Sequence, residues 1–208
     1  MPPKKRKRAK HPKNPKHPKH PKHPKHPKHR PVRHLLGSHM SIAGGLHLAV
    51  ERIEALGGTA LQIFTRNQRQ WRIPELPTEA VAAFKTAIPR WGEYPVAVHD
   101  SYLINLASPK AEVRIRSRDT FAQELIRVET LAIPYLVTHP GAPGGQEKHA
   151  ALKTYVQNLD QALAESGTKK VRVLLENTAG QGTVLGSTFE ELAAIIAARN
   201  VQRLLRAG

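Results

Sequence analysis

Five short apolar runs alternate with segments of helical periodicity, and this alternation constrains the fold more than any other feature of the chain. "HLLGSH", "ALQIF", "YPVAVH", "PYLVTH" and "VRVLLEN" are brief, apolar and often β-branched, as buried strands are. Helical patterns separate them. "LHLAVERIEALGG" spaces its apolar residues for one helix face and stops at Gly57-Gly58. "TEAVAAFKTA" follows Pro77, with Thr78 as the expected N-cap. "AEVRIRSRDTFAQELIRVETL" and "HAALKTYVQNLDQALAESG" read as long amphipathic helices, the second stopped near Gly167. "STFEELAAIIAAR" opens with Ser187 and Glu190 at capping-box spacing. Regular βα repetition requires parallel strands with helices outside them, either as a barrel or as a doubly wound sheet.

The strand ends fall near residues 39, 64, 99, 139 and 176, and what stands there favours the barrel. His99, His139 and Glu176 each close an apolar run just before a polar or Gly/Pro-rich loop, in "VAVHDSY", "LVTHPGAPGG" and "LLENTAGQG". In a βα barrel the C-terminal strand ends share one mouth. Two imidazoles and a carboxylate meeting there form a hydrolytic zinc set with a coordination position left open. One such residue alone would read as a polar strand terminus, whereas three in register point to a metal. His39 also ends a strand, but no ligand role is expected of it. The chain has no cysteine, which excludes disulfides and thiolate ligands and leaves imidazole and carboxylate.

Charge divides the chain in two. Residues 1–34 contain 14 of the 33 Lys and Arg and no Asp or Glu; the remainder has 19 basic against 16 acidic residues, close to balance. Pro15 to His29 is five copies of Pro-Lys-His. Proline at every third position removes amide donors and forbids helix or sheet interior, so a disordered basic tail is expected. Repeated Lys suits phosphate neutralisation, and the seven His of residues 1–34 suit metal capture; a solvated tail without a specific role is the plain alternative. "PKKRKR" has the form of a nuclear import signal, a weak motif. No run reaches the roughly 18 apolar residues of a membrane span, and the N-terminus lacks a signal-peptide core. A cytoplasmic, nucleoid-associated location is the expectation.

The motifs themselves carry a resemblance. "GSHMSIAGGL", "LQIFTRNQRQW", "VHDSYLINLASP", "THPGA" and "LENTAGQGTVLG", spread over roughly residues 35–198, resemble the endonuclease IV (deoxyribonuclease IV) family of AP endonucleases. The resemblance implies a zinc-dependent TIM barrel of the xylose isomerase-like type. It also implies cleavage of DNA 5′ to abasic sites at a three-zinc centre, leaving a 3′-hydroxyl and a 5′-deoxyribose phosphate. Carried over, His99 and His139 match ligands of one zinc, and Glu176 matches the catalytic carboxylate bridging it to a second. Arg69, Tyr102 and Leu103 match residues that enter the DNA at the lesion. Asn177 and Thr178 match the loop beside the metal. The "GSHM" of Gly37 to Met40 looks like a vector remnant, but matches the family's first strand and turn.

The family pattern continues with a strand bearing an Asp-Thr-Cys-His motif and further ligands, whereas this chain reads "VQRLLRAG" and ends at Gly208. The expectation is therefore a basic tail over residues 1–34 and the N-terminal part of a barrel over residues 35–208. That is about five of the eight βα units. Such a chain would have both sheet edges open, full ligands for one zinc, and doubtful turnover by itself. Two alternatives stand beside the endonuclease: a DNA-binding remnant that does not cut, and a sugar isomerase or epimerase of the related barrels. The expected partner is double-stranded DNA with abasic sites, bound by a monomer without membrane association.

Overall fold

A computed structural model describes residues 34–180 and 183–198. The elements run β1 (Gly37–His39), α1 (Leu46–Ala55), β2 (Ala60–Ile63), α2 (Thr78–Trp91), β3 (Val96–His99), α3 (Ala111–Thr130), β4 (Tyr135–Thr138), α4 (Lys148–Ser166), β5 (Arg172–Leu175) and α5 (Phe189–Ala197). The Pro-Lys-His segment and "VQRLLRAG" lie outside the described residues.

The strands pair in chain order, β1-β2-β3-β4-β5, and every pairing is parallel. A doubly wound sheet would reverse its strand order part-way. Sequential order with right-handed crossovers instead keeps every helix on one side of the sheet, which is an arc of a barrel. Among the described residues, β1 and β5 each have one neighbour.

Side-chain alternation gives the sheet two unlike faces. Register aligns Ile63, Val98, Leu136 and Val173 on one face, and these are buried among core residues that include Phe84 and Phe121. On the other face Gln62, Ala97, Tyr135 and Arg172 line up; the first three are half-buried and Arg172 is exposed. That second face is the barrel interior, and a cleft of about 410 Å³ runs along it beside Gln62 and Ala97.

Three local expectations shift. The first strand is exposed throughout rather than buried, as befits an edge; Gly37 is nevertheless required, since a Cβ there would collide with the Ala60 carbonyl oxygen. Thr78 is the first helical residue, not the N-cap: Pro77 takes that place because its carbonyl accepts from the Val81 amide at 3.1 Å. The same helix runs on through Pro89 in its last turn and ends at Gly92, whose φ is 116°. The N-cap of α5 is displaced by one residue, to Thr188, with Glu191 three residues on reaching back past the cap. Thr188 Oγ1 accepts from the Glu191 amide at 3.2 Å, while Glu191 accepts from the amides of Ser187 and Gly186 at 3.0 and 2.7 Å. No helix among the described residues is long and apolar enough to cross a membrane.

Candidate metal centre

Sheet register delivers the three strand-end residues to one face. His99 is aligned with Val137, and Val137 with Leu174; two residues further on along β4 and β5 stand His139 and Glu176. Backbone bonds extend the ladder past the last strand residues, from the Asp100 amide to Val137 O and from the Glu176 amide to Thr138 O, both 3.0 Å. One ligand atom from each of His99, His139 and Glu176 then lies within 4.8 Å of the others, the one such group among the described residues.

The donor set fits a cation. His99 Nδ1 lies 2.9 Å from the Asp100 carbonyl oxygen, which can only accept, so Nδ1 carries the proton. In the neutral ring, Nε2 is then a bare lone pair, and it faces Glu176 Oε2 at 2.9 Å. Two acceptors so placed need a proton or a cation between them. His139 Nε2 stands 3.9 Å from the same oxygen, and its Nδ1 is buried with no hydrogen-bond partner among the described residues. Burial, with His99 adding to it, holds the His139 imidazole below its ordinary pKa against the opposing pull of Glu176, which favours the neutral, ligating form.

Behind this group stands a residue that strand ends alone did not single out. Asp100, buried on the helix side, accepts from Thr138 Oγ1 at 2.6 Å. Each partner of that bond is the chain neighbour of a candidate ligand, so the bond ties β3 to β4 where His99 and His139 project. Complete burial pushes the Asp100 carboxyl well above the usual carboxylate range, although the Thr138 hydrogen bond works the other way.

The remaining sequence candidates surround the mouth. Tyr102 is 63 % exposed, and its ring stands 5.7 Å from that of His99 and 5.4 Å from Phe64. Leu103 is half-buried, with its amide on Ser101 Oγ at 3.3 Å. Arg69 is exposed on the long loop between β2 and α2. His39 packs on Phe64 at 4.3 Å between centroids and is not in the ligand group. Asn105 links two of the loops: its side chain meets the Ala142 amide and carbonyl, and Gly141 is needed because a Cβ there would collide with Asn105 Oδ1. A pocket of about 310 Å³ opens between His139, Tyr102 and Thr178.

Known proteins share this fold. Residues 50–204 match the family model described as a xylose isomerase-like TIM barrel. A protein named probable endonuclease 4 from Chloroflexus aurantiacus is 48% identical over 159 residues, 76% of this chain and 56% of that protein. A namesake from Oleidesulfovibrio alaskensis is 52% identical over 169 residues, 81% of this chain and 58% of its own. The chain thus spans a little over half the length of these relatives. Among solved structures, endonuclease IV from Thermus thermophilus superposes with a TM-score of 0.70 at 36% identity, over 78% of this chain and 58% of that one. A D-tagatose 3-epimerase-like protein superposes with a TM-score of 0.64 over 81% of this chain and 62% of its own, at 20% identity, which speaks for the fold alone.

Proposed function

The chain belongs to the xylose isomerase-like TIM barrel family, and from that premise, with endonuclease 4 proteins as its relatives, we propose that it derives from a zinc-dependent AP endonuclease of DNA repair. The reaction is hydrolysis of the phosphodiester 5′ to an abasic site, leaving a 3′-hydroxyl and a 5′-deoxyribose phosphate. The observation that supports it most is the convergence of His99, His139 and Glu176 within 4.8 Å at the ends of three adjacent strands.

In this reading His99 and His139 each give zinc one ring nitrogen, and Glu176 gives a carboxylate oxygen. Zinc, when bound, supplies Lewis acidity toward the phosphodiester. The Asp100 carbonyl fixes the His99 tautomer, as partners behind metal-bound imidazoles do. Tyr102, exposed beside the centre, and Leu103 fill the stack where the damaged nucleotide leaves it, and Arg69 enters from the neighbouring loop. Double-stranded DNA carrying abasic sites is the partner, and the basic residues of the 1–34 segment add sequence-independent attraction to it.

A duplex with one abasic site tests this. Incision to a 3′-hydroxyl end, abolished by a chelator and restored by zinc, is the expected result. Glu176→Gln should lower zinc affinity by at least about tenfold, because even partners behind the ligands are worth about 10–100-fold. A second reading, binding without cleavage, is favoured by one specific point: the described residues hold a single ligand group, whereas the family resemblance implies three zinc ions. Lesion binding with no incision at high protein and added zinc would support that second reading over the first.

A further inference from the structure

The loop from Phe64 to Pro77 has no helix or strand, yet it is tied down by a charged cluster on α3 that the proposed chemistry does not use. Glu124, 2 % exposed, accepts from Arg66 Nε at 2.6 Å and from Thr65 Oγ1 at 2.7 Å. Arg66 turns on to the carbonyls of Asn67 and Gln70, on either side of Arg69. Arg127, one helical turn beyond Glu124 and also buried, donates to Thr65 Oγ1, Thr65 O and Pro74 O at 3.1, 2.9 and 2.7 Å. Both ends of the loop are therefore bound to one helix face. Two further ties lie outside the cluster: Ser101 Oγ donates to Gln68 O at 2.7 Å, and Arg116 stands 4.8 Å over the Trp71 ring.

Burying two guanidiniums around one carboxylate is a costly way to stabilise a fold, since apolar side chains of similar volume commonly do as well or better. Arg66 Nη2 even lacks a hydrogen-bond partner among the described residues. What the cluster supplies that apolar packing cannot is hydrogen bonding to loop carbonyls. Ordering so long an irregular segment carries a large entropy cost, which DNA would otherwise have to meet on binding.

We propose that Glu124 is a positioning residue for DNA recognition, holding the 65–74 loop through Arg66, Thr65 and Arg127 so that Arg69 is set before DNA arrives. The proposal rests on the reading of Arg69 as a lesion contact. Glu124 itself touches neither DNA nor metal.

The test uses the full chain with a tetrahydrofuran abasic-analogue duplex and the same duplex intact, read by fluorescence anisotropy, and hydrogen exchange of the loop amides. Glu124→Gln should reduce the preference for the abasic duplex about tenfold while leaving intact-duplex affinity unchanged. In that background Arg69→Ala should cost nothing more, the non-additivity expected of residues that act as one unit. Amides of residues 65–72 should exchange at least about tenfold faster, with those of β3 and β4 unchanged. An unchanged preference, effects that multiply, or unaltered loop protection would each overturn the proposal. Should Glu124→Gln unfold the chain, Thr65→Val removes two bonds of the cluster without stranding a charge, and the same readings apply. If the unaltered protein shows no lesion preference, the endonuclease reading fails, and loop exchange alone decides for or against the positioning role of Glu124.

Discussion

His99 can present a free lone pair to a cation only because its other nitrogen is occupied, and the occupant is the next residue's own carbonyl. The pairing of adjacent residues recurs on the far side of the sheet. Since neighbours along a strand point to opposite faces, Asp100 and Thr138 must lie on the helix side if His99 and His139 face the interior. Their 2.6 Å bond is the outer counterpart of the inner pair of candidate ligands. Removing the donor leaves a buried carboxyl oxygen unsatisfied. Thr138→Val, nearly isosteric, should therefore destabilise the chain by about 1–3 kcal/mol in urea denaturation. A loss under about 0.5 kcal/mol, the size of an ordinary surface substitution, would show that the bond does not hold the strands. The convergence of His99, His139 and Glu176 was legible because each residue visibly closes an apolar run. The bond behind it was not, because it depends on register between strands far apart in sequence. Glu124 escaped for another reason: an acid in an amphipathic helix reads as solvent-facing, although its place between Phe121 and Val128 lies in the apolar stripe.

At the scale of elements, short apolar runs and helical periodicity located the five strands and five helices of the described residues, but cap positions moved by one residue. Pro77 and Thr188 cap where Thr78 and Ser187 were expected, since the cap is chosen by which backbone and side-chain groups meet and not by residue preference alone. In α5 the deciding group is Glu191, which gathers the amides of Gly186 and Ser187 and pairs with Lys148 at the start of α4. Burial pushes its carboxyl up, but the hydrogen bonds from Lys148, Ser187 and Gly186 prevail and hold it below the ordinary 4.5. A depressed carboxylate stabilises the fold above its unfolded pKa, and that contribution is lost as pH falls through the folded value. Glu191→Gln should accordingly flatten the stability loss on acidification below about pH 4.5. Equal acid limbs for the two proteins in thermal melts would contradict this. Thr188→Ala, removing the side-chain acceptor for the Glu191 amide, should cost about 1 kcal/mol at neutral pH.

On the scale of the whole molecule, charge and site are segregated. The candidate ligands and Arg69 belong to a region nearly balanced in charge, while residues 1–34 carry 14 cations and no acid. Cations that neutralise phosphates release counterions and make affinity fall with salt, but they read no lesion. Deleting residues 1–34 should thus weaken DNA binding mainly at low salt. The slope of log affinity against log salt should fall by about 0.9 for each phosphate that is no longer neutralised. The ratio of affinities for abasic and intact duplexes should remain, because Arg69 and Tyr102 are untouched. An unchanged slope would mean that the cations of residues 1–34 do not meet DNA. A slope and a lesion ratio that fell together would place recognition partly in those 34 residues, against the division of labour that the charge distribution implies.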